Sequence, residues 1–149
     1  MKLDGTRFGS IEISDDEILS FPRGILGFKD LTRFVLLPHR SSPSVAWLQS
    51  VDHPGVALPV VSAHAMEEGY EDGVMQRCMA AVNATDAETV AVLLVMTALP
   101  GLPPTVNRRA PVAIDAETRT GAQIVIEGTP LPTRAALTMV PPVAEATAA

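Results

Sequence analysis

Short apolar runs bounded by Gly, Pro and polar residues recur along most of this chain, the signature of β-strands. Ile18 to Phe21, Phe34 to Leu37, Val45 to Gln49 and Val56 to Val61 each read as such a strand. Thr6 to Ile13 fits only with an interruption. Phe8 is even-numbered while Ile11 and Ile13 are odd, so a bulge at Gly9-Ser10 would restore one buried face. Thr89 to Leu99 is apolar on both faces, which predicts a central strand covered on each side. Val112 to Asp115 and Gly121 to Ile126 read as a hairpin around a five-residue loop, Ala116 to Thr120. In that hairpin Val112 and Ile114 are expected to meet Ile124 and Ile126 on one face.

One segment changes period. Met75, Cys78, Met79 and Val82 recur at helical spacing, with Asp72-Gly73 before and Asn83 after, so a short helix is predicted near Val74 to Val82. A second turn is expected near Lys29 to Arg33. Prolines at 22, 38, 43, 54, 100, 103, 104 and 111 fall between or at the ends of the runs, where a missing donor does least harm. Residues 1–139 are read as one domain. The tail, 140–149, has too little apolar bulk to hold itself down and is expected to be flexible. Many short strands and little helix predict an all-β domain, barrel or sandwich.

Composition narrows the function classes. At 149 residues and 47% apolar, the chain can bury a core without metal or disulfide. It has one Cys, its start lacks the apolar stretch of a signal peptide, and Thr89 to Leu99 is too short for a membrane span. A cytoplasmic protein away from the membrane is expected. Net charge is −6, with 17 acidic against 11 basic side chains, which disfavours direct nucleic-acid binding and suits a basic protein partner.

Catalytic chemistry finds no support. His39, His53 and His64 lack metal-site spacing, and Ser50 and Ser62 lack a nucleophile elbow. Cys78 sits on the apolar stripe of the predicted helix and reads as a buried hydrophobe. No cofactor is expected. Glu67, Glu68, Glu71 and Asp72 cluster around Gly69-Tyr70, either as a solvated turn or as a grip for a basic partner. Trp47 shares a strand face with Gln49 and is either a buried core residue or an interface anchor. The loop Phe21 to Phe28 places Ile25, Leu26 and Phe28 where a turn should be polar. Such a loop either folds onto the core or presents an apolar patch.

Three blocks stand in fixed order: Phe21-Pro22-Arg23-Gly24-Ile25-Leu26-Gly27-Phe28, then Trp47-Leu48-Gln49-Ser50, then Thr105 to Asp115 with Gly121 to Ile126. Together, over about Thr6 to Arg134, they resemble the flagellar assembly factor family, FliW. The resemblance implies a small, mostly antiparallel β-barrel-like domain with one or two short helices. It further implies a cytoplasmic protein that binds newly made flagellin and also binds the carbon storage regulator CsrA away from its RNA surface. Free flagellin would then compete for the factor and couple synthesis to export. Tyr70 matches a family aromatic. Arg108 and Arg109 stand where the family carries apolar residues, and Ser62-Ala63-His64 lacks the usual Asn-Pro pair. Residues expected to meet partners are Ile25, Leu26, Phe28, Trp47, Asn107, Arg108, Arg109, Glu67 and Glu68. The arginine pair is expected to be exposed. A small-molecule-binding barrel with Trp47 in its mouth is the competing reading.

Overall fold

A computed structural model describes residues 1–39, 42, 44–65, 73–127 and 132–136. The acidic cluster Glu67 to Asp72 and the tail 140–149 lie outside the described residues. The chain runs β1 (Lys2–Thr6), β2 (Gly9–Glu12), β3 (Leu19–Ser20), β4 (Arg33–Pro38), β5 (Val45–Ser50), β6 (Ala57–Ser62) and α1 (Val74–Ala81). It continues through β7 (Val90–Thr97), β8 (Thr105–Val106), β9 (Val112–Asp115), β10 (Thr120–Gln123) and β11 (Ala135–Ala136).

Among the described residues, seven strands close on themselves in the order β7-β6-β5-β4-β3-β10-β9, with β9 pairing back onto β7. All these pairings are antiparallel except β3 with β10, which meet at Thr120 and Ser20. Strand β7 makes the closure possible. Its first half pairs with β9, its second half with β8, and its other edge with β6. This explains its two apolar faces. Leu93 points into the barrel with Val95, while Val90, Val92 and Leu94 point outward beneath α1.

Three apolar clusters follow from that geometry. Phe21, Phe34, Leu48, Val60, Val112 and Ile114 fill the barrel, with Phe21 and Phe34 edge-to-face at 5.3 Å. Val74, Cys78 and Val82 of α1 and its end pack on the outer face of β7 and β9. Ile11 and Ile13 cover Val35 on the outer face of β4. The predicted helix is present as α1, and its stripe is the buried face.

Two local expectations are corrected. Thr6 to Ile13 is not one bulged strand: Thr6 ends β1, which begins at Lys2, and Gly9 to Glu12 return against it as β2. Gly9 adopts φ +80°, the Phe8 N–H donates to Thr6 Oγ1 at 3.1 Å, and the Thr6 hydroxyl donates to the Gly9 carbonyl. These contacts turn the chain at Arg7-Phe8 and leave Phe8 40% exposed. In the second hairpin the loop is Ala116 to Arg119, and the register pairs Val112 with Gln123 and Ile114 with Gly121. Ile124 and Ile126 therefore face outward under α1, opposite Val112 and Ile114. An even residue opposes an odd one here, so a loop one residue shorter moves both isoleucines to the other face. The turn near Lys29 to Arg33 is confined to Lys29-Asp30, with no helix, and Arg33 already belongs to β4. Asp52 accepts from the Thr32 and Arg33 amides, both at 3.1 Å, and binds the Arg33 guanidinium, which holds the chain extended.

Candidate functional site

Trp47 lies on the outer face of β5, between Leu37 of β4 and Pro59 of β6. Its neighbours across the outer face come from the β1–β2 turn. The Arg7 guanidinium sits 4.1 Å from the Trp47 ring centroid, and Phe8 meets the same indole edge-on at 5.6 Å. A shallow concavity beside this trio is lined by Phe8, Leu37, Pro38, His39 and Trp47. Trp47 is half-buried, and Arg7 and Phe8 are exposed. At 4.1 Å the Arg7 guanidinium lies over the ring in a cation–π contact. Arg7 and Phe8 escaped the sequence reading because the hairpin turn was read as strand. A glycine three residues past a threonine, at Thr6 to Gly9, was the available signal.

Two residues on from Trp47, Gln49 is fully buried. Its amide donates to the carbonyls of Ser50 and Pro54 at 2.9 Å and of Val56 at 3.2 Å. It ties down the β5–β6 connection, a structural role for a polar residue that alternation alone places on the outer face.

The loop Phe21 to Phe28 does both things the sequence allowed. Phe21 and Ile25 are buried in the barrel, whereas Leu26 is 52% exposed and Phe28 half-buried. The Phe28 N–H donates to the Ile25 carbonyl at 2.7 Å and the Ile25 N–H to the Phe28 carbonyl at 3.2 Å, so Leu26-Gly27 forms a tight tip. Gly24 has φ +66°, and a Cβ there would strike the Phe28 and Lys29 carbonyls. Ile25, expected at a partner surface, is thus a core residue. The Leu26 amide donates to Gln123 Oε1 at 2.8 Å, which anchors the tip to β10.

Asn107 caps its own loop, accepting from the Arg109 and Ala110 amides at 3.0 and 3.2 Å. That turn sends the two arginines to opposite environments. Arg109 is exposed, but Arg108 is 5% exposed, against the expectation that both face solvent. Its amide donates to the Pro132 carbonyl at 3.1 Å, so β8 and the segment before β11 enclose it. Arg108→Ala should therefore cost about 2 kcal/mol through lost packing and polar contacts. Arg109→Ala should stay within about 0.5 kcal/mol. Chemical denaturation of the two single variants checks this contrast.

Burial pushes the Cys78 thiol up to about 11, partly offset by Arg77, so it stays protonated at neutral pH. Among the described residues no group of His, Cys, Asp and Glu could hold a metal ion, and no helix is long and apolar enough to cross a membrane. Phe21, Phe34, Leu48 and Val112 pack inside the barrel and Trp47 lies on its outer face, so the competing reading of a barrel with Trp47 in its mouth loses that anchor.

A sequence profile for the family described as FliW protein matches residues 2–137. The chain belongs to the FliW family. It is 34% identical to the flagellar assembly factor FliW of Thermosipho africanus over 124 residues, covering 82% of this chain and 86% of that one. It is 35% identical to the counterpart from Geotalea uraniireducens over 135 residues, covering 90% and 82%. A crystal structure of the flagellar assembly factor FliW superposes with a TM-score of 0.81 at 28% identity, covering 93% of this chain and 97% of that one. The all-β barrel that the resemblance implied is therefore the fold of this FliW-family protein. On that barrel, Leu26 and Phe28 belong to one loop, Trp47 to the outer face of β5, and Asn107 to Arg109 to the turn after β8. Glu67 and Glu68 lie outside the described residues.

Proposed function

We propose that this protein binds flagellin in the cytoplasm and antagonises CsrA by partner switching, with no bond made or broken. The observation that carries this reading is the match to flagellar assembly factors over residues 2–137 in sequence and nearly the whole chain in fold. Supporting contact residues are those that remain accessible: Leu26, Phe28, Trp47 and Arg109, joined by Arg7 and Phe8. Trp and Arg are the side chains most enriched at binding hot spots. The net charge of −6 suits CsrA, a partner basic enough to hold RNA, and argues against RNA binding by this chain itself.

Calorimetric titration of the purified protein against flagellin and CsrA from the same organism tests the proposal. Binding to at least one, with no metal or nucleotide added, is the expected result. In a gel shift the protein should release a flagellin leader transcript from CsrA and should not retard that transcript alone. No heat with either partner at micromolar concentration would overturn the reading.

A further inference from the structure

A groove on the opposite side of the loop from the barrel core has a charge character at odds with the rest of the molecule. Its walls are Pro22 and Arg23 on one side and Arg77 with Ala81 of α1 on the other, and its floor is β10 with Ala122 and Ile124. No carboxylate lines it among the described residues, although the chain as a whole carries −6. Arg23 is exposed and makes no hydrogen bond or ion pair among the described residues. Arg77 places one guanidinium nitrogen 3.0 Å from the Val125 carbonyl, which fixes the side chain over the groove and leaves its other donors open. Two guanidinium groups, Arg77 held in place and Arg23 exposed, beside an uncharged floor are complementary to carboxylates.

The floor sets the shape of what can lie there. Strand β10 is fully paired with β9, but on its other edge it meets β3 only at Thr120. The Ile124 amide donates to Pro111 in the β9 direction, so alternation turns the backbone of Gln123 toward the edge that β3 has left. Beyond Ser20 the chain departs to begin the loop that carries Pro22 and Arg23. The groove thus runs beside a short, incompletely paired strand end where Gln123 turns its backbone outward, and its elongated floor fits an extended segment. The end of α1 does not oppose an anion strongly, because the Cys78, Met79 and Ala80 carbonyls accept from the amides of Val82, Ala84 and Asn83. Exposed Leu26, bonded through its amide to Gln123, extends the same surface with an apolar rim.

We infer that this groove is a docking site for an extended, acidic peptide segment, its carboxylates held by Arg23 and Arg77 and its backbone lying along β10. The inference does not depend on flagellin or CsrA being the partners.

The test uses the full chain and a fluorescently labelled, end-blocked pentapeptide alternating valine and glutamate, with its lysine counterpart as control. At low ionic strength the acidic peptide should bind at least about tenfold more tightly than the basic one by fluorescence anisotropy. Arg23→Glu and Arg77→Gln should each weaken it by roughly tenfold. Lys2→Glu, which changes the net charge as Arg23→Glu does but at the exposed start of β1, should leave it unchanged. Arg23→Glu removes no described contact, so its unfolding midpoint should match the parent and its binding result stands even if Arg77→Gln folds poorly. Equal binding of both peptides, no binding of the acidic one, or equal loss in Lys2→Glu and Arg23→Glu would overturn the assignment.

Discussion

Phe21→Ala should destabilise the protein by about 4 kcal/mol, because the ring is fully buried at the centre of the barrel cluster and its removal leaves a cavity. For a domain of this size that corresponds to a fall in melting temperature of roughly 8–16 °C. The ring contacts Phe34 edge-on and lies against Gly121 of β10, where an added Cβ would fall inside contact distance of three ring carbons. Gly121→Ala alone should therefore cost about 2 kcal/mol or more by overpacking. The two changes should not add. In Phe21→Ala the space beside Gly121 is vacated, so the second substitution should cost little, and the double variant should be about as stable as Phe21→Ala alone. A double-mutant cycle by denaturant titration measures this coupling. Additive losses would show that Phe21 and Gly121 are not the packing pair described.

Trp47→Ala should separate binding from folding. The indole is half-buried on the outer face of the barrel, so its truncation should cost stability well short of the Phe21 loss. Affinity for the partner that uses this patch should fall by about 2 kcal/mol, roughly thirtyfold. Phe8→Ala and Arg7→Ala should weaken the same interaction, because each ring or guanidinium holds the other two in place. Parallel melting and calorimetric titration decide the point. Unchanged affinity for both flagellin and CsrA in a folded Trp47→Ala protein would remove this patch from the contact surface and leave Leu26, Phe28 and Arg109 as its remaining members.

Much of the scaffold is legible in local pattern. Met75 to Val82 reports a helix because a 3.6-residue period cannot be mistaken for alternation over two turns, and α1 follows it closely. Thr89 to Leu99 reports a doubly covered strand because it lacks any polar face, and β7 is the strand on which the barrel closes. The two hairpin misreadings share one origin. Turn length fixes parity, and a single residue gained or lost there reverses which side chains are inside. The tighter loop at Ala116 to Arg119 turned Ile124 and Ile126 outward, and the turn at Arg7-Phe8 turned Phe8 into solvent.

The amino-acid sequence by itself determined the strand-rich class, the position of the helix, the family and the acidic balance, because each is carried by neighbours in the chain or by sums over it. Only the tertiary structure decided which charged and apolar residues face a partner. Arg108 and Arg109 are adjacent and chemically identical, yet one is enclosed and the other exposed, since an Asn107 turn and the segment before β11 meet around only one of them. Ile25 and Leu26 are equally apolar neighbours, and closure of the barrel takes one and leaves the other outside. Arg7, Phe8 and Trp47 come together across some forty residues because a hairpin is laid over the outer face of β4 and β5. Burial and juxtaposition of this kind are properties of chain closure, and no local period encodes them.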